Sequence, residues 1–485
     1  MSDAPPNILW ICTDQQRWDT LGCYGNPFVR TPNLDRLAAG GQRFDFAFCQ
    51  NPVCTPSRAS FLTGRYPRTT RDRQNGQSIP ADEIPVTRLL AYSGYVCGLS
   101  GKLHLSACHP DAHPLGERRI DDGYQVFHWS HHPAPEHPRA NHLANAYSLW
   151  LRGRGRTFER RASGLSDHVQ FGPPEEDHQT TWCADRAIEF IESARAYGRP
   201  WLFSFNCFDP HHPFDPPESY LRRYLDRLDA IPRPNAREGE PAEKTAWQRI
   251  DHAGAYGGHG MSAAAMTERD HLLVRAAYWA MCDLIDAQVG RMLDALDRTG
   301  QRANTIVIFM SDHGELLGDH GLYLKGPHFY EPAVRVPLVV SWPAGAPGGA
   351  ARGELVELVD LAPTLLEAAG LAVPRRMQGR SLLPLLRGTA GAGAAREDVY
   401  CEFYNSNFNY DPPAYATMVR TRDHKLVRYH ETREGELYDL RADPGESHNL
   451  WGRPGARDVQ AAMLARLSDR MARTVDPLPE GTAPW

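Results

Sequence analysis

Apolar positions fall along this chain in short, nearly unbroken runs, the pattern of strands buried on both faces of a sheet. The first is 7–13, Asn-Ile-Leu-Trp-Ile-Cys-Thr, and 305–311, Thr-Ile-Val-Ile-Phe-Met-Ser, repeats its character late in the chain; an aspartate follows each, Asp14 and Asp312. Similar runs occupy 95–99, 201–207 and 336–342. Between them the apolar spacing becomes that of amphipathic helices, over 180–197, 268–299 and 355–369, the last closed by Gly370. Buried strands alternating with helices predict an α/β sandwich with a large, mostly parallel central sheet flanked by helices, and ligands gather at the carboxyl ends of such strands. Asp14 and Asp312 then arrive at one edge.

From about Gly388 the chain turns Ala- and Gly-rich and then offers short strands at 399–403 and 417–429. This predicts a catalytic domain over 1–387 and a smaller C-terminal α+β subdomain over 388–485, as suits a chain of 485 residues. Composition narrows the partners. The 53 basic and 59 acidic side chains give a formal charge of −6 and no basic stripe, against a nucleic-acid ligand. No apolar run reaches transmembrane length, and residues 1–6 lack the basic and apolar regions of a secretory signal. The ten cysteines form no Cys-x-x-Cys pair, which suits reduced thiols. The expectation is a cytoplasmic protein with no membrane partner, its assembly into a homo-oligomer left open.

Candidate chemistry centres on Asn51-Pro52-Val53-Cys54-Thr55-Pro56-Ser57-Arg58-Ala59-Ser60-Phe61-Leu62-Thr63-Gly64-Arg65. A thiol at a helix start is favoured as thiolate by the backbone N–H groups. A Cys-x5-Arg phosphate cradle is excluded, since position 60 is serine and the arginine is Arg58. Asp14-Gln15 and Asp312-His313 add two pairs of potential ligands, a carboxylate-rich set with one amide and one imidazole that suits Ca²⁺, Mg²⁺ or Mn²⁺.

The Cys54 segment resembles the signature of the sulfatase family, in which the cysteine is oxidised to formylglycine, and Met418 to Leu426, Glu436 to Leu440 and Asp443 to Leu450 resemble its C-terminal regions. The resemblance implies an alkaline-phosphatase-like fold and hydrolysis of a small-molecule sulfate ester by a hydrated formylglycine. It further implies one divalent ion, calcium first and manganese or magnesium after it, and a formylglycine-generating enzyme as maturation partner. By the same resemblance Asp14, Gln15, Asp312, His313 and the modified Cys54 hold the metal. Arg58 braces the formylglycine against it, Lys102 and Lys325 contact the sulfate, His104 holds the formylglycine, and His211 protonates the leaving group with Lys325 as competitor. Many sulfatases have a second Asp at Gln15 and an Asn at His313. The Gln/His combination resembles the phosphonate monoester and phosphodiester hydrolases of the same fold, whereas Lys102 with His104 resembles sulfatases. The reading is therefore a sulfatase of arylsulfatase type, promiscuous toward phosphonate and phosphate esters, with the phosphonate hydrolase as alternative and a catalytically dead binding relative as a remote one.

Asn75, in the loop after the signature helix, is expected to reach substrate. The stretch with His104, Cys108, His109, His113, His128, His131, His132, His137 and His142 is irregular and Pro-rich, so it reads as loop histidines forming a lid or pocket wall more than as a zinc site. Trp129, Tyr147 and Trp150 are candidates for bounding an organic group there, and 405–413, with Phe408 and Tyr410, for closing the pocket.

Overall fold

The computed structural model describes residues 4–479 apart from 110, 114–115, 134–143, 238, 392–394 and 408–409; His137, His142 and Phe408 thus lie outside the described residues. Its strands, in chain order, are β1 Asn7–Thr13, β2 Gln42–Phe48, β3 Val96–Gly101, β4 Val126–Trp129, β5 Arg161–Ser166, β6 Val169–Phe171, β7 Trp201–Asn206, β8 Thr305–Ser311, β9 Arg335–Val336, β10 Leu338–Ser341, β11 Ala350–Glu357, β12 Asp398–Tyr404, β13 Tyr415–Thr421, β14 His424–Tyr429 and β15 Gly435–Asp439. The central sheet runs β11-β2-β10-β8-β1-β7-β3-β4, with β9 also on β2. Its β8-β1-β7-β3-β4 half is parallel, as is β11-β2; β10 lies antiparallel between β2 and β8.

Both faces of the sheet are covered at its centre, which is why β1, β7 and β8 are apolar at most positions, whereas β2 and β11 toward the edge carry charged residues. From β1 and β8, Leu9, Ile11, Val307 and Phe309 pack with Ala187, Ile191, Ile285 and Met292 of the helices Gln179–Ala194 and Glu268–Arg298. Ile8, Trp10, Ile308 and Met310 face the other way, toward Phe61, Leu90 and Leu365. The register Thr13↔Ser311 sets Asp14 and Asp312 side by side at the strand ends. Gly101↔Asn206 brings the chain after β3 to the same edge.

Three expectations are corrected. The helix over 355–369 starts only at Leu361, because Leu355, Val356 and Glu357 end β11, paired with Phe46, Ala47 and Phe48; a 3₁₀ turn at Leu358–Asp360 then leads into Leu361–Ala368. The run 336–342 is split by Pro337, which has no N–H to give to a ladder, into β9 and β10. The run 417–429 is a hairpin, β13 and β14, with Arg420 opposite Lys425. In the C-terminal sheet β12-β13-β14-β15, Val399, Cys401 and Phe403 pack into the core that Ile8 and Trp10 share. Its other face, through Tyr400, Val419 and Leu426, meets the helix Arg457–Arg473. All ten cysteines are free, and no helix among the described residues is long and apolar enough to cross a membrane.

Candidate active site

Cys54 opens the helix Cys54–Thr63, every residue of which is buried. Asn75 Oδ1 accepts the Thr55 N–H at 3.0 Å, and Ser57 Oγ donates to the Asp312 carbonyl at 2.5 Å, so the helix start is fastened to the strand end that carries Asp312. Asn75, expected at the substrate, therefore has its carboxamide oxygen engaged as a helix cap.

Arg58 comes one turn later, on the face that looks back at the strand ends, and is fully buried. Its Nε donates to Asp312 Oδ2 at 2.8 Å, Nη2 to Asp14 Oδ2 at 3.1 Å and Nη1 to the Lys102 carbonyl at 2.9 Å. Lys102 Nζ also donates to Asp14 Oδ2. Burial alone would raise the Asp14 pKa, but Lys102, Arg58 and Lys325 outweigh it and hold the carboxyl well below its usual range. Conversely, burial pulls Lys102 down and Asp14 more than compensates, so Lys102 stays charged.

Around the thiol, Cys54 Sγ lies 3.1 Å from His313 Nε2, 3.0 Å from Lys325 Nζ and 3.6 Å from Asp14 Oδ1. Burial and Asp14 push its pKa up, Lys102, Lys325 and His313 push it down, and the net is a fall from 9.0 to about 7. One ligand atom from each of Asp14, Cys54, Asp312 and His313 lies within 4.8 Å of the others. His313 Nδ1 faces the Gly314 carbonyl at 2.9 Å, and donating there points Nε2 toward the thiol. Gln15 sits in the left-handed region, φ 65°, held by its N–H to Asp312 Oδ1 at 3.0 Å and by the Tyr278 hydroxyl on its carbonyl. Its amide is oriented from both ends, Nε2 donating to Glu315 and Oε1 accepting from Lys325 Nζ at 2.7 Å, which leaves Oε1 a second lone pair.

Lys325 also reaches His211, whose Nε2 is 2.9 Å from Nζ while Nδ1 is 2.6 Å from the His212 carbonyl. Burial first, then Lys325 and His212, keep the His211 pKa well below 6.5, so the imidazole rests neutral with Nε2 as acceptor. His104 has Nε2 3.1 Å from Thr55 Oγ1, one residue beyond Cys54. The structure thus gathers Asp14, Gln15, Cys54, Arg58, Lys102, Asp312, His313, Lys325 and His211 in one connected cluster, with His104 and Asn75 contacting it through Thr55.

Two residues of this neighbourhood were not singled out from sequence. Buried Glu315 accepts the Leu317 N–H at 2.8 Å as well as the Gln15 amide, and only its place two residues past His313 hinted at it. Phe208 carries Lys102 Nζ 5.4 Å above its ring and the His211 and His132 rings each 4.6 Å away. Of the aromatics proposed for the pocket, Tyr147 is fully buried and bonds the Asp177 carbonyl, Trp150 stacks on it, and Trp129 donates to Glu117. Tyr410 bonds Asp251.

Comparison with known proteins gives these residues a context. Residues 6–371 match the family model described as Sulfatase, and residues 318–473 the one described as N-sulphoglucosamine sulphohydrolase, C-terminal. The chain is 31% identical to the "Uncharacterized sulfatase YidJ" of Escherichia coli (strain K12), covering 97% of this chain and 88% of that one. It is 29% identical to an arylsulfatase of Clostridium perfringens (strain 13 / Type A), covering 92% and 90%. Among solved structures, the phosphonate monoester hydrolase of Agrobacterium radiobacter superposes with a TM-score of 0.83 at 28% identity, over 97% of this chain and 96% of that one.

Proposed function

The chain belongs to the sulfatase family, and from that membership we propose that it hydrolyses sulfate monoesters of aryl type, with a formylglycine derived from Cys54 as nucleophile. The observation that carries the reading is the surround of Cys54: a thiol on a buried helix start, touching His313 and Lys325, beside two carboxylates bridged by Arg58. The donor set fits one divalent ion. Asp14, Asp312 and His313, with Gln15 and the oxygen of the converted Cys54, would hold calcium, or manganese or magnesium in its stead. Such an ion lowers the pKa of a bound hydroxyl, and hydrated formylglycine supplies a geminal hydroxyl able to attack sulfur near neutral pH.

The chain's own residues do the rest. Lys102 and Lys325 balance charge on the sulfuryl oxygens, while Arg58 holds both aspartates where they serve the metal. His211 and Lys325 share a hydrogen bond, and because burial keeps His211 neutral the roles expected from sequence are exchanged: Lys325 supplies the proton for the leaving oxygen and His211 positions it. Conversion of Cys54 requires a formylglycine-generating enzyme in the host.

A second reading is favoured by Gln15, His313 and the superposition on the phosphonate monoester hydrolase. Charge explains why the readings overlap. Sulfate monoesters, phosphonate monoesters and phosphodiesters are all tetrahedral monoanions, so three buried cations facing two carboxylates attract each alike. The test is kcat/KM for an aryl sulfate, an aryl phosphonate monoester and a phosphodiester with one leaving group, on protein whose Cys54 conversion is quantified by mass spectrometry. Preference for the sulfate, with Cys54→Ala reduced to background, is the expected result. Preference for the phosphonate or diester gives the function to the second reading, and undiminished turnover by Cys54→Ala sinks both.

A further inference from the structure

The histidine-rich stretch after β3 has an order that its spacing hides. β3 and β4 are parallel neighbours with Gly101 opposite Trp129, so the chain leaves both strands at one edge; His104 follows three residues after Gly101 and His131 two after Trp129. Cys108 joins them, and ligand atoms of His104, Cys108 and His131 all lie within 4.8 Å of one another. The two imidazoles meet edge to face, centroids 4.5 Å apart. His104 is 6% exposed, and Cys108 and His131 are half-buried.

Two nitrogens of this cluster, His104 Nδ1 and His131 Nε2, are buried and have no hydrogen-bond partner among the described residues. A buried polar atom without a partner is costly, and two in residues clustered with one thiol indicate a ligand. The cluster is also braced from behind. The Glu117 carboxylate accepts the His104 N–H at 2.8 Å, the Leu105 N–H at 2.9 Å and the Trp129 Nε1–H at 2.9 Å, which ties the loop after β3 to the end of β4. Its Oε2 stands 3.6 Å from Cys108 Sγ.

We propose that His104 Nδ1, Cys108 Sγ and His131 Nε2 form a second metal site, for a divalent ion of zinc type. Two imidazoles and a thiolate are a borderline-soft donor set, unlike the carboxylate-rich set around Asp14, so the two sites sort ions by chemistry. Among the described residues the site has three protein ligands. Binding displaces the Cys108 thiol proton to solvent. It also fixes a tautomer: with Nδ1 on the metal, the His104 proton stays on Nε2, the atom that faces Thr55 Oγ1 at 3.1 Å. His104 is thereby a positioning residue held as a donor beside Cys54. The inference stands without the functional reading above, because its test measures binding alone.

That test is titration of Cys54→Ala protein with Co²⁺, the substitution removing the other thiol that faces a ligand set. With excess Ca²⁺ present to fill the carboxylate-rich set around Asp14, a thiolate-to-cobalt charge-transfer band and the visible bands of a tetrahedral site are expected to saturate at one equivalent and to be displaced by Zn²⁺. Adding Cys108→Ser should abolish the charge-transfer band, and His131→Ala should weaken binding by roughly tenfold or more, as losses around metal sites do. Absence of the bands, or their survival at full strength with Cys108→Ser, overturns the proposal. Should a variant fail to fold, X-ray absorption of Cys54→Ala protein carrying one equivalent of zinc in excess Ca²⁺ decides: one sulfur with two imidazoles supports the site, and a shell of oxygens refutes it.

Discussion

Asp72 is fully buried, and both its carboxylate oxygens lack a partner among the described residues. Burial, with Glu117 adding to it, pushes its pKa well above the carboxylate range, so it is retained as the neutral acid. The sign of the linkage follows. As pH rises the unfolded chain ionises at this residue first, so stability is present at low pH and falls as pH climbs toward the folded-state pKa. Asp72→Asn removes that slope; the Tm of the variant minus that of the parent is expected to grow between about pH 5 and pH 8 in thermal melts. A difference flat with pH would mean that Asp72 is solvated or paired. At this scale, legibility from sequence depended on anchoring. Asp14, Asp312, Cys54 and Arg58 could be read because each is counted from a strand end or a helix start. Glu315 could not, since its work depends on the left-handed turn of Gln15, which no local pattern announces.

Among elements, the helix Cys54–Thr63 does the most positioning, and its side chains cannot be sorted by face because all are buried. Its first turn depends on Asn75, and Asn75→Ala is expected to cost about 1 kcal/mol of stability, the usual loss on removing a helix cap, with a fall in kcat larger than any change in KM. A rise in KM alone would return Asn75 to the substrate. Gly101 is a second constrained point, with φ 98° and the Asn206 carbonyl 2.0 Å from where a Cβ would stand. Gly101→Ala is therefore expected to lower Tm and, by moving the following Lys102, to reduce activity more than stability alone explains; a variant with parental Tm and turnover refutes this. The helices 180–197 and 268–299 were legible by period, and Thr267 with Asp270 caps the second in a reciprocal box. Residues 355–369 misled because Leu355 and Val356 satisfy a helical period and a strand equally, and pairing with β2 decided between them. The histidine cluster was illegible for another reason: its members leave two strands far apart in sequence, so their spacing carries no metal signature.

For the whole molecule, metal and core have separate tests. A chelator that removes calcium and manganese is expected to abolish hydrolysis, with recovery on adding one of them back, and to lower Tm by the linkage of an ion bound only to folded protein. Activity persisting after verified removal would discard the ion from the proposed reaction. The proposed division at 387/388 is expected to be one of sequence rather than of folding, because β12 and β13 complete the core around Ile8 and Trp10. Calorimetry should show a single transition, and two resolved ones would make the C-terminal unit independent. The alternation of strands and helices conveyed the sandwich, but the insertion of antiparallel β10 between β2 and β8 depends on contacts that no local pattern records.

The pairing of β1 with β8, Asn7 opposite Thr305 through Thr13 opposite Ser311, leads to one more consequence. The long intervening chain can gain or lose residues and still return in step, whereas deletion of one residue inside either strand turns the aspartate after it to the other face of the sheet. The two aspartates are thus addressed by a count along a strand and not by distance along the chain. Insertions and deletions over the history of such chains should fall between the strands, leaving each strand's length as the record of where its aspartate must stand.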